Sequence, residues 1–276
     1  MECKLENINV HYEMFGEGRP IIMLHGWPLD HRHMVRCMEP LFKYRDGWKR
    51  ICPDLPGMGK TPGMDWITTQ DQVLDIVLDF IDKVAPRQRF VVAGTSYGGY
   101  LARGVVCRRS GLMDGLLLTV PVIQADETKR TLPPHVTLVE DPALISELES
   151  NEAERFQEIA VVQSRELLDA MRADILPAVG VADHEFLSKL RENYAFSFDV
   201  DVLAKPFAGP ALMLMGRQDS ICGYRDAWGI LENYPSGTLV VLDRAGHALE
   251  AEQKDLFNAL VSEWLDRVEE YVGVVE

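Results

Sequence analysis

Phe90-Val91-Val92-Ala93-Gly94-Thr95-Ser96-Tyr97-Gly98-Gly99 sets a short apolar run against a glycine-rich turn, and the residues that follow, Leu101, Val105 and Val106, have helical spacing. A continuous run of four apolar residues suits a strand covered on both faces. In a strand-turn-helix context, G-x-S-x-G makes a nucleophile elbow: the glycines let the two backbones approach closely, and the serine is held exposed in a strained conformation. Ser96 is therefore the candidate nucleophile. The pentapeptide alone is a weak signal, because Gly and Ser are common in turns, and its placement after a buried strand carries the argument.

Working outward, short apolar runs alternate with longer amphipathic ones, the pattern of strands joined by crossover helices in a mostly parallel sheet. Asn9 to Phe15 alternates like an exposed strand, whereas Pro20 to Leu24, Lys49 to Pro53 and Leu116 to Val120 read as buried strands. Thr69 to Val84 carries Val73, Ile76, Val77, Phe80, Ile81 and Val84 at three- and four-residue intervals, which predicts an amphipathic helix capped by Thr68 or Thr69. After Val120 the pattern changes to a Pro133-Pro134 break and long charged helical stretches such as Glu152 to Arg172. Ala211 to Met215, Thr238 to Leu242 and a closing helix from about Gln253 to Val268 then resume it. The expected organisation is a sheet domain over 1–120 and 206–276, interrupted by a helical insertion over 121–205.

A serine hydroxyl is a poor nucleophile at neutral pH, so it needs a base, and the base needs an acid that fixes its tautomer. Asp219 follows the run Ala211 to Met215, and His247 follows Thr238 to Leu242. Both sit at carboxyl ends of strands, where ligands of open α/β sheets bind, so three distant residues can meet in one crevice. Asp126 also follows a strand end and is the competing acid. His25 is expected to hydrogen-bond structurally rather than act as a base. His31 and His33 are two apart, which suits no helix-face metal pair, and a surface position is expected for both. His11, His135 and His184 have no supporting context.

The 276 residues are 47% hydrophobic and 26% charged, close to the globular average, which argues against disorder and fibrous repeats. Lys and Arg number 28 against 43 Asp and Glu, a net charge of −15 that repels phosphate backbones and anionic headgroups. Nucleic acid and membrane are not expected as partners; a small-molecule substrate is. The five cysteines, Cys3, Cys37, Cys52, Cys107 and Cys222, lie far apart, which disfavours a disulfide frame or a zinc site. No dinucleotide fingerprint or phosphate loop occurs, so neither cofactor nor metal is implied. Without a secretory start or a stretch of ~18 apolar residues, a soluble cytoplasmic protein is expected.

The order Ser, Asp, His, with His25-Gly26-Trp27-Pro28 after the third strand and Asp54-Leu55-Pro56-Gly57-Met58-Gly59 after the next, resembles the α/β-hydrolase superfamily over nearly the whole chain. The resemblance implies a mostly parallel sheet flanked by helices, with a helical cap between the sixth and seventh strands at about 121–205. It also implies an oxyanion hole from the backbone N–H groups of Trp27 and Tyr97. The aromatic side chains of these two either line the pocket or fill core volume. Cap residues such as Phe156, Ile159, Val162 and Met171 either contact substrate or pack the helices together. Serine at position 96 points to acyl transfer rather than dehalogenation. Carboxylic ester hydrolysis is the default expectation for such a capped serine hydrolase. C–C bond hydrolysis of vinylogous diketones and cofactor-free perhydrolysis are the alternatives, and a non-catalytic receptor or scaffold is the alternative of another class. Oligomeric state is not legible.

Overall fold

The apolar runs form the middle of one sheet. In the computed structural model, which describes residues 1–275, the strands are β1 (Glu2–Lys4), β2 (Asn9–Phe15), β3 (Arg19–Leu24), β4 (Trp48–Pro53), β5 (Phe90–Thr95), β6 (Met113–Thr119), β7 (Ala211–Gly216) and β8 (Gly237–Leu242). They pair in the order β1-β2-β4-β3-β5-β6-β7-β8. β1 and β2 pair antiparallel, as do β2 and β4; every later pairing is parallel. β5, β6 and β7 are buried along their whole length, while the alternating β2 and the edge strand β8 are half-buried. β1, three residues long, is too short for a period to be read from its sequence.

Period-two alternation divides the apolar side chains between two cores. Ile22, Leu24, Phe90 and Val92 face one, with α2 (Gln70–Val84) and α3 (Tyr97–Arg109) against them. Ile21, Met23, Val91 and Ala93 face the other, covered by α1 (His31–Met38) and by a C-terminal helix over Lys254–Val275 that buries Phe257, Val261, Trp264, Leu265 and Val268. Thr69 caps α2 in a reciprocal box with Gln72, which settles the choice between the two threonines. The last helix continues past Val268 because Val272 still meets the core.

The 121–205 segment holds α4 (Pro142–Ser146), α5 (Ser150–Ile159), α6 (Arg165–Ala170), α7 (Leu176–Val181) and α8 (His184–Arg191), with a π turn over Met171–Ile175 joining α6 to α7. The continuous helix expected from Glu152 to Arg172 is a misreading. The chain leaves α5 at Ala160, and Val162 makes an isolated bridge to Val139 before Ser164 caps α6. The Val161 and Val162 N–H groups are instead taken by the Glu252 carboxylate, a tertiary partner that the local pattern does not reveal. Glu252 ends α9 (Leu249–Glu252), the short turn that precedes the C-terminal helix, here α10. No helix among the described residues is long and apolar enough to cross a membrane.

Candidate active site

At the end of β5 the backbone reverses into α3 through Ser96, whose φ of 53° and ψ of −113° lie in a region that non-glycine residues rarely occupy. The conformation is clamped. Ser96 N–H donates to Thr119 O at 2.9 Å, and Ser96 O accepts from Tyr100 and Val122 N–H at 3.1 Å each. The flanking glycines are required sterically: a Cβ on Gly94 would lie 2.3 Å from Gly98 O, and one on Gly98 only 2.1 Å from Leu24 O. Both obstacles are backbone and cannot swing aside. Gly98→Ala is therefore expected to destabilise by at least about 1–3 kcal/mol. Urea unfolding measures this, and an unchanged midpoint would refute the close approach.

The loops after β7 and β8 bring Asp219 and His247 to the same edge. His247 Nε2 lies 2.9 Å from Ser96 Oγ, and His247 Nδ1 lies 3.0 Å from Asp219 Oδ2. Asp219 is fully buried, and its other oxygen accepts from the Ile221 and Cys222 N–H groups at 2.8 and 3.0 Å. Those two bonds fix the carboxylate. With Nδ1–H donating to Asp219, Nε2 is free to accept from the serine hydroxyl. Cys222 Sγ stands 3.9 Å from Ser96 Oγ, a neighbour that the sequence reading missed. Asp126 is elsewhere, exposed, and caps the turn at Glu127–Lys129.

Burial alone would lower the His247 pKa, but the buried Asp219 carboxylate overrides it and holds the imidazolium well above the ordinary 6.5. Only neutral imidazole can accept a proton from Ser96, so with His247 as base activity is expected to be lost as pH falls through this raised value. The acid limb of kcat/KM is expected on the alkaline side of 6.5, moving to lower pH in Asp219→Asn. A limb centred at or below 6.5 in the unaltered protein would contradict the coupling. Glu252 adds a second constraint: its Oε2 accepts from Gly246 N–H at 2.6 Å and its Oε1 from Val161 and Val162 N–H at 2.7 and 3.2 Å. It thereby ties the peptide before His247 to the 121–205 segment. Burial pushes its carboxyl up to about 7, against those three donors.

The Tyr97 N–H opens α3 and the Trp27 N–H lies in the turn after β3; neither has a hydrogen-bond partner among the described residues. That turn abuts Ser96, since a Cβ on Gly26 would lie 3.3 Å from Ser96 Cβ. His25 pins it. Its Nδ1–H donates to Gly26 O at 2.8 Å and its Nε2 accepts from Leu55 N–H at 3.0 Å, so the ring is a structural link between two loops. The two aromatic side chains part company. Trp27 lines the pocket, whereas Tyr97 is wholly buried, its hydroxyl on Gln70 and its ring edge-on to Trp27.

Ser96 and His247 open onto a cavity of about 190 Å³ whose walls include Leu29, Ile159, Ile175, Val179 and Ile221. Of the four apolar residues singled out in the 121–205 segment, only Ile159 is among its lining residues. Phe156 and Met171 pack instead against Leu144, Leu167 and Ala251. The surface position expected for His33 is corrected: it is buried, because His33, Met34, Cys37 and Met38 form the inward stripe of α1, and it lines this cavity with Glu250. His31 is largely buried too, with Nδ1 2.8 Å from Asp54 Oδ1. Among the described residues, ligating atoms come within 4.8 Å of one another in His11, Glu13 and His31, in Asp30, His31 and Asp54, and in Asp219, Cys222 and His247. The second and third groups already hydrogen-bond internally.

An α/β sheet with a serine on the strand-to-helix elbow, and an aspartate and histidine after the last two strands, defines a hydrolase class. The profile of the alpha/beta hydrolase family matches residues 21–260, and the chain belongs to that family. A pimeloyl-acyl-carrier-protein methyl ester esterase of Legionella pneumophila is 23% identical over 268 residues, covering 94% of this chain and 100% of the relative. The Bacillus subtilis AB hydrolase superfamily protein YisY is 26% identical, covering 94% and 96%. An alpha/beta superfamily hydrolase from Oenococcus oeni superposes with a TM-score of 0.88 at 29% identity, over 98% of this chain and 99% of the other. A thermophilic esterase from Thermogutta terrifontis has a TM-score of 0.70 at 22% identity, over 95% and 94%.

Proposed function

We propose that the protein is a serine carboxylic ester hydrolase acting on small to medium, largely apolar esters through an acyl-enzyme. The observation that carries the reading is the row Ser96, His247, Asp219, with contacts of 2.9 and 3.0 Å, at the wall of a mostly apolar cavity. Relatives named as esterases support the same chemistry. Ser96 Oγ attacks the ester carbonyl while His247 takes its proton. The Trp27 and Tyr97 N–H groups donate to the negative oxygen, each typically worth about 3 kcal/mol. His247 returns the proton to the leaving alcohol, and water repeats the cycle to release the acid. Asp219 holds the tautomer throughout.

In this reading residues 121–205 act as the cap, and Ile159, Ile175 and Val179 rather than Phe156 and Met171 set acyl size. A volume of about 190 Å³ is below that of drug-sized ligand sites, roughly 300–1,000 Å³, and a little above the roughly 150 Å³ that accommodates benzene. Short acyl chains fit. The test joins fluorophosphonate labelling of Ser96 to a series of aryl esters from acetate to palmitate. Labelling, with kcat/KM highest for short chains, is expected. An unlabelled serine or a preference for long-chain emulsions would sink the proposal.

A further inference from the structure

Four buried side-chain atoms have no hydrogen-bond partner: both ring nitrogens of His33 and Oε2 of Glu250, two residues that line the cavity, and Oδ1 of Asp174 behind them. They belong to one cluster. His33 and Arg36 lie on α1, Asp174 in the π turn of the 121–205 segment, and Glu250 in α9, three residues after His247. Arg36 Nε donates to Asp174 Oδ2 at 2.7 Å and its Nη2 to Glu250 Oε1 at 3.2 Å. His33 Nδ1 stands 3.5 Å from Asp174 Oδ2 and Nε2 3.8 Å from Glu250 Oε1. The His33 and Glu250 side chains are only 4% and 2% exposed, yet both line the cavity that holds Ser96.

Polar atoms withdrawn from water without partners carry their full desolvation cost, and a few convergent polar groups in an apolar pocket are how such sites orient ligands. We propose that this end of the pocket is a subsite for a hydroxyl group carried on the substrate's chain, donating to Glu250 and accepting from His33. The proposal rests on the ester-hydrolase reading only for which bond is cleaved. The chemistry of the cluster selects the group. A hydroxyl donates and accepts at once, matching a carboxylate that can only accept beside an imidazole N–H that donates. An ether accepts only and leaves Glu250 unpaired. A carboxylate only accepts and meets the charges of Asp174 and Glu250, and an ammonium only donates, which leaves the His33 N–H unpaired. Substrates of this kind are hydroxylated short-chain esters.

Binding to the Ser96→Ala protein, which leaves esters intact, tests this by calorimetry. The ligands are methyl esters of propanoyl to hexanoyl length with a terminal methyl, hydroxyl, methoxy, ammonium or carboxylate group; kcat/KM of the unaltered protein is measured on the same set. At one chain length the hydroxy ester is expected to bind about tenfold or more tightly than its parent, with no gain from the other substituents. Glu250→Gln, and His33→Gln as a second variant, should each bring that ratio close to one. Equal binding of hydroxy and parent esters at every length overturns the subsite. So does a preference for ammonium or carboxylate, or a hydroxyl preference that survives both substitutions. If the hydroxyl preference holds in binding while no ester is cleaved by the unaltered protein, the subsite stands and the ester-hydrolase reading fails.

Discussion

Ser96→Ala is expected to lower kcat by roughly 10⁴- to 10⁶-fold, with a melting temperature shifted by no more than a few degrees. The two expectations come from different parts of the structure. Oγ is the atom 2.9 Å from His247 Nε2, so alanine removes the proposed nucleophile itself. The backbone at φ 53° is held by Thr119, Tyr100 and Val122 through main-chain atoms, which alanine retains. Ser96 is 8% exposed beside the cavity and alanine lacks only its one oxygen, so the substitution opens little new void. What activity remains should come from the two amide donors and from binding alone. Steady-state assays on purified protein, with a thermal melt alongside, decide the matter. Ester hydrolysis within tenfold of the unaltered protein would remove Ser96 from the nucleophile role.

Asp219→Asn carries the second large effect, a loss of about 10⁴ in kcat. One oxygen still accepts from Ile221 and Cys222 N–H, so the side chain is held in place. The other position, 3.0 Å from His247 Nδ1, then presents an amide N–H where a carboxylate oxygen had been. The imidazole must turn its lone pair toward that N–H, which moves its proton to Nε2, facing Ser96. A donor then faces a donor and the serine cannot be deprotonated. Loss of the buried negative charge also removes what holds the imidazolium pKa up, so the acid limb should move to lower pH as the maximum rate falls. Near-normal turnover in Asp219→Asn, with a severe loss in Asp126→Asn, would reassign the acid. Asp126 is exposed and hydrogen-bonded to Thr128, an arrangement that gives it no hold on His247.

The elements read most directly from the sequence are those whose geometry is enforced locally. Phe90 to Ala93 must be a buried strand because nothing in it is polar, and Gly94, Gly98 and Gly99 permit an approach that a single Cβ would block. Carboxyl-end placement after β7 and β8 follows from parallel topology, so Asp219 and His247 could be picked out before any distance was known. The break at Ala160, the inward turn of His33 and the roles of Glu250 and Glu252 were not legible. Each depends on a partner remote in the chain: Glu252 on Val161, 91 residues away, and Arg36 on Asp174, 138 residues away. The same holds for the pocket wall, where Ile159, Ile175 and Val179 line the cavity of Ser96 while Phe156 and Met171 belong to a buried cluster with Leu144, Leu167 and Ala251. Sequence by itself determined the sheet, the elbow and the three residues at the strand ends, because backbone sterics and the two-residue period act over a few positions. Only the tertiary structure decided which side chains line the cavity beside Ser96 and His247, because burial of a polar or apolar group is settled by what packs against it.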